Sequence, residues 1–174
     1  MTISRLLQEK ENYTHEISLL VSILIRYPQI SSLHYDPHQE MIQFGFLVSE
    51  EISKERILDF EKILNSSLEA FHHLDCNDDV LLEIAVQHME NVTSIEISRN
   101  VNTLTRDEIS LLVMLLQDAF THHLVMDIHD PTMDEEQQLQ EEIIDSMLMD
   151  LQAGAHDRNF IAYREEGRVM VFNK

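Results

Sequence analysis

The chain has 174 residues, a 44% apolar share and a formal charge of −20, from 32 acidic against 12 basic side chains. It is long and apolar enough to bury a core in one domain, and its periodic apolar residues exclude a disordered acidic tail. The charge argues against direct binding of a phosphate backbone or an anionic membrane; it would attract a basic protein or a cation, with plain solubility as the expected reason for it.

A first helix is expected from Thr2 or Ile3 to Tyr27, with Tyr13, Ile17, Leu20 and Leu24 as its apolar stripe and Pro28 as its stop. Residues 31–35 and 41–48 then read as a hairpin around Asp36-Pro37-His38. Ile42, Phe44, Phe46 and Val48 alternate with the period of a half-buried strand. A second helix is expected over 53–73, with Ile57, Phe60, Leu64, Leu68 and Phe71 on one side. After a loop at 75–79, a second hairpin joins 80–88 to 92–101 near Glu90-Asn91.

The third helix opens on a capping box, Thr105-Arg106-Asp107-Glu108, in which each end group should satisfy a free backbone donor. Residues 109–116 then carry apolar side chains almost without a break, which predicts burial on more than one side or a place in a dimer interface. Asp130-Pro131 and a second capping box, Thr132 to Glu135, open a fourth helix. Its expected stripe is Leu139, Ile143, Met147 and Leu151, and Gly154 is placed to end it. A last hairpin, 160–163 and 169–172, turns at 164–167, where Gly167 suits a positive φ.

The order α-ββα-ββα-α-ββ gives an α+β class: an antiparallel sheet of hairpins with helices packed on it. The expected organisation is one domain over 1–174: an N-terminal helix (1–27), two ββα units (31–124), and a helix plus C-terminal hairpin (131–174). The two units each end on His-His-Leu, at 72–74 and 122–124, an offset of 50. The C-terminal hairpin gathers Arg158, Arg164, Arg168 and Lys174, whereas 107–157 contains no Lys or Arg and thirteen Asp or Glu. It is expected to complete the sheet, with presentation of an edge strand to a partner as the alternative.

Catalytic loops are missing from the sequence. The three glycines, Gly45, Gly154 and Gly167, are too far apart for a phosphate cradle, and there is no Gly-x-Ser-x-Gly elbow. The single cysteine, Cys76, allows neither an internal disulfide nor a CxxC pair. Its acidic neighbours would raise the thiol pKa, which counts against a nucleophile. The opening residues show no basic-then-apolar leader pattern, so a cytoplasmic location is expected.

Histidine remains as the residue of interest. His72, His73 and Cys76 form one candidate metal group beside Asp75, Asp78 and Asp79; His122, His123, Asp127 and His129 form a second. Imidazole and carboxylate suit zinc, manganese or iron, and convergence of His72 with His122 would make one divalent-metal centre. The competing explanation is helix-end chemistry: histidine at a C-terminus pairs with free carbonyls and the negative end of the dipole. The primary functional expectation is therefore a non-enzymatic binding or regulatory module that takes a protein partner or forms a homodimer. The alternatives are a metal-dependent enzyme using the histidine groups and an acidic mimic of nucleic acid.

Overall fold

The computed structural model describes residues 3–74, 80–127, 134–154, 156–165 and 167–173, with side chains from residue 15 in the first segment and from 137 in the third. Within them lie four helices, α1 (Ile3–Arg26), α2 (Lys54–Leu74), α3 (Arg106–Ala119) and α4 (Asp134–Ala153). Six strands accompany them: β1 (Ser32–Asp36), β2 (Met41–Val48), β3 (Leu82–Met89), β4 (Val92–Asn100), β5 (Phe160–Glu165) and β6 (Arg168–Asn173). The expected α+β class is what the chain adopts. All pairings are antiparallel, and the strands lie in the order β3-β4-β2-β1-β5-β6.

The two ββα units meet along β2 and β4, where Phe44 lies opposite Ile97. Helices α2 and α3 then run antiparallel over them. Phe60 in α2 packs on Phe120, just past the end of α3, with ring centroids 5.4 Å apart. At the other end, His72 of α2 reaches Glu108 in the first turn of α3. The third hairpin joins through β5 against β1, beneath α1.

Strand alternation decides the layers. Leu33, Tyr35, Ile42, Phe44, Phe46, Ile95, Ile97, Phe160 and Ala162 all point to one face and are buried. The helices supply the opposing side chains, among them Leu20, Ile23, Leu24, Leu64, Leu68, Ile109, Leu112 and Leu116. The result is a two-layer sandwich whose single core lies between the sheet and the helices.

Several local details depart from the sequence expectation. The third helix ends at Ala119 rather than at the second His-His-Leu, because Phe120 leaves helical geometry (φ −130, ψ 40). His122 and His123 occupy the turn beyond it, and Leu124 makes a bridge to Val48. The capping box is half formed. Thr105 Oγ1 accepts from the Glu108 N–H (3.3 Å), but the Glu108 carboxylate turns inward instead of reaching back. The α4 stripe is displaced: Ile144, Leu148 and Leu151 are buried while Leu139 is 54% exposed, since α4 docks mainly on α1. The all-round apolar α3 buries one side and packs Leu111 and Leu115 at its flanks, leaving Met114 exposed. The predicted opening of the fourth helix at 130–133 lies outside the described residues.

Candidate functional site

The second face of the sheet is the largest feature left over once the core is built. Its side chains form cross-strand rows fixed by the register. One row runs Glu83, Ser98, Gln43, His34, Ile161, Phe172; the next runs Ala85, Glu96, Gly45, Ser32, Tyr163, Met170. These residues are half-buried or exposed, with Gly45 the exception, whereas their neighbours in sequence are in the core. Among the described residues no helix packs on this face.

The two halves of the face differ in chemistry. On β3, β4 and β2 polar residues (Glu83, Ser98, Gln43, Glu96 and Ser94) are interspersed with apolar ones, Met89 among them at 46% exposure, and Gln43 donates to Glu96 (3.0 Å). On β5 and β6 it is apolar and aromatic. Tyr163 and Phe172 stack nearly parallel, their centroids 5.5 Å apart and their planes at 8°. Met170 and Phe172 are 36% and 45% exposed. Contact between these two rings gives them a fixed geometry, while much of their apolar surface stays in water at a free-energy cost.

Beside this patch the face dips into a hollow of about 360 Å³. Gly45 and Ser32 form part of its wall, with Leu47, Val125, Tyr163 and Arg164 around them. A Cβ at Gly45 would collide with the Ser32 hydroxyl in its present rotamer, so a side chain here would require Ser32, directly opposite on β1, to shift. Arg164 fastens the hairpin to α1. Its guanidinium donates to the carbonyl of Leu24 in the last turn of α1 and to those of Tyr27 (2.9 Å) and Ile30 (2.9 Å) in the turn that follows. Burial pulls the Arg164 pKa below its ordinary value, and Asp127, 3.6 Å away, opposes that shift.

The histidine candidates fall at separate places. His72 is buried, and His73 is exposed one residue on. His122 is exposed, and His123 lies 3.5 Å from Glu50 at the opposite end of the helix pair. Arg56, near the start of α2, packs over the Phe120 ring (5.5 Å), so the two histidine pairs are separated by most of α2, about 24 Å for the sixteen residues from 56 to 72. Asp127 is engaged with Arg164. Cys76 and His129 lie outside the described residues. Among the described residues no three His, Cys, Asp or Glu groups come together as a metal site.

What His72 does instead is enter a buried polar network that sequence reasoning missed. Arg99 and Glu108 are both fully buried. The Arg99 guanidinium grips Glu108 through Nε and Nη2 (2.8 Å to Oε2) and also donates to Thr103 Oγ1 (3.2 Å) and the Asn100 carbonyl (3.2 Å). His72 Nε2 lies 3.1 Å from Glu108 Oε1. His72 Nδ1 is buried and has no hydrogen-bond partner among the described residues. A cavity of about 520 Å³ opens beside this ring between α2 and the start of β3, lined by Asn65, Leu68, Glu69, His72, His73, Val80 and Leu82. The carboxylate orients the imidazole as it would a base or a ligand, but none of these lining side chains is a hydroxyl or thiol nucleophile. The signal was present in β4: Thr93, Ile95, Ile97 and Arg99 share the inward parity, and a charge in the last slot demands a buried partner.

A second buried pair joins α1 to the segment before β5. Glu16 contacts His156, both nearly fully buried, and the Tyr35 ring stands edge-on to His156 (6.4 Å). Burial raises the Glu16 pKa, with His156 opposing it. Burial also raises the Tyr35 pKa, reinforced by the nearby Glu16 charge.

These elements define a two-layer α+β sandwich with one sheet face on which no helix of the described residues packs. Compared with protein-family models, with curated proteins and with solved structures, the chain matches none of them. No helix of the described residues is long and apolar enough to cross a membrane.

Proposed function

We propose that this chain is a non-enzymatic protein-binding module that works through its uncovered sheet face, at the β5–β6 patch. The observation that carries the reading is the division of that face. On its β3–β4–β2 half apolar residues are interrupted by Glu83, Glu96, Gln43, Ser94 and Ser98, whereas Ile161, Tyr163, Met170 and Phe172 form a contiguous apolar strip at the edge of a chain with net charge −20. Exposed apolar clusters rimmed by polar residues mark interaction surfaces, and aromatic residues and methionine are enriched at the centres of such interfaces. The hollow beside Gly45 has room for one apolar side chain of a partner, and Arg164 and Asp127 on its lining add polar contacts.

The test places a photoreactive benzoylphenylalanine at Phe172 and, separately, at Leu58, an exposed apolar position on α2. Irradiation in the cells that make the protein should give a discrete protein adduct from position 172 and none from 58. Equal adducts from both positions, or none from 172, would refute the reading.

A further inference from the structure

The strand edge that borders this patch can be assigned a partner of its own, on the basis of the binding reading above; the pairing doubles the apolar strip that a further surface would cover. We propose that β6 pairs antiparallel with β6 of a second copy of the chain, about a two-fold axis at Met170, joining two six-stranded sheets into one.

The backbone permits it. β6 ends the sheet. Glu165 pairs with Arg168 across a two-residue connection, so in the usual geometry that closing pair exchanges hydrogen bonds. Alternation then turns the amide groups of Arg168, Met170 and Phe172 toward β5. Those of Val169, Val171 and Asn173 face outward, as unused donors and acceptors of an edge strand. Little blunts this edge: residues 168–173 include no proline, the core-facing positions are Val169 and Val171, and the strand's one charge, Arg168, stands at its first residue.

The side chains select the register. Directly opposed residues must share a face, so the axis must pass through a residue rather than between two. Centred on Met170, the pairing sets Met170 against itself and Val169 against Val171. It also sets Arg168 against Phe172, a cation over an aromatic ring, twice by symmetry. Centred on Val171, it opposes Met170 to Phe172 and leaves Arg168 without an aromatic partner.

Charge selects the edge. Arg168 is the one charged residue within β6, while β3 at the other end of the sheet carries Glu83 on its outer face. Two chains of −20 each meet most readily where the acidic surface is thinnest. Pairing at β6 also brings the two Ile161–Tyr163–Met170–Phe172 strips side by side, which the β3 edge cannot do.

The experiment uses the full chain. Sedimentation over a concentration series should show a species of twice the 20.4 kDa chain mass. In a Cys76→Ser background, Met170→Cys should form a disulfide-linked dimer under mild oxidation, because the axial pair is the non-hydrogen-bonded kind with its Cβ atoms closest. Arg168→Cys alone should not cross-link, whereas Arg168→Cys with Phe172→Cys should. Val171→Pro removes an outward N–H without touching the β5 ladder and should give a monomer with an unchanged circular dichroism spectrum. Met170→Lys, which opposes two cations at an already exposed site, should do the same if the proline variant fails to fold. A chain that stays at its monomer mass at the highest soluble concentration would overturn the dimer, and equal cross-linking of Arg168→Cys alone would overturn the register. A monomer that still gives a Phe172 adduct with a different protein sinks this inference but leaves the binding reading standing; a monomer with no adduct sinks both.

Discussion

Replacing Glu108 with Gln isolates the buried network that ties the two ββα units together. The change keeps shape and most hydrogen bonding but removes the only carboxylate among the described residues that grips the fully buried Arg99. Breaking a buried ion pair from one side costs about 3–5 kcal/mol, because it strands a charge in a low-dielectric interior. Against a typical domain stability of about 5–15 kcal/mol this is a large fraction. For a chain of this size it corresponds to a fall in Tm of roughly 6–20 °C, at about 2–4 °C per kcal/mol. Urea unfolding of wild type, Glu108→Gln, Arg99→Met and the double variant Arg99→Met/Glu108→Leu would measure it. The double variant should be markedly more stable than either single one, since an apolar pair of similar volume leaves no uncompensated charge. A Glu108→Gln cost below about 1 kcal/mol, the level of an exposed pair, would refute the view that these groups are coupled in the core.

Three further outcomes are expected. Glu16→Gln tests the α1–His156 contact by pH: the raised Glu16 pKa makes that group's contribution most favourable below its ordinary value of 4.5 and diminishes it as pH rises through the folded value. The variant should therefore gain on wild type in urea midpoint between acid and neutral pH, and a steady loss over that range would contradict the assignment. Gly45→Ala should cost about 1–3 kcal/mol by overpacking against Ser32, and adding Ser32→Ala should recover part of it; thermal melts in which the double variant is no better than the single would show that the close approach is unimportant. Thr105→Ala should cost about 1 kcal/mol through loss of the N-cap of α3, and an unchanged melt would show that this cap contributes nothing.

Much of the fold was legible in the sequence because hydrophobic period reports which side of an element meets the core. Ile42, Phe44, Phe46 and Val48 alternate in the sequence and are all buried in β2. Ile57, Phe60, Leu64 and Leu68 recur at helical spacing and form the buried side of α2. Gly167 takes a positive φ of 75° in the last turn, as its position implied. The α4 stripe was less legible, because its face is set by where α1 lies and not by its own period alone. The His-His-Leu echo misled for a related reason. Its first copy is helical and points His72 inward, while its second sits in a turn created by Phe120 leaving the helix to pack on Phe60.

The polar interior was harder to read, since pairing across the chain leaves no local mark. Glu108 sits at the third helical position of α3, where a capping role is the local expectation, yet Arg99 competes successfully for its carboxylate. The uncovered face followed only once strand order was known. In sequence, the apolar alternation of β6 fixes neither which edge it occupies nor that its outer residues adjoin Tyr163 and Ile161.

The central claim is that the β5–β6 face, and not the helical layer, is covered when the protein works. Hydroxyl-radical footprinting of the purified, dilute chain and of the same chain in its own cells tests it directly, because both layers carry natural probes. Met170, Phe172 and Tyr163 should be protected in cells, while Met114 and Met149, 52% and 70% exposed on α3 and α4, should oxidise equally in both settings. Protection of Met114 and Met149 with Met170 and Phe172 left open would contradict it.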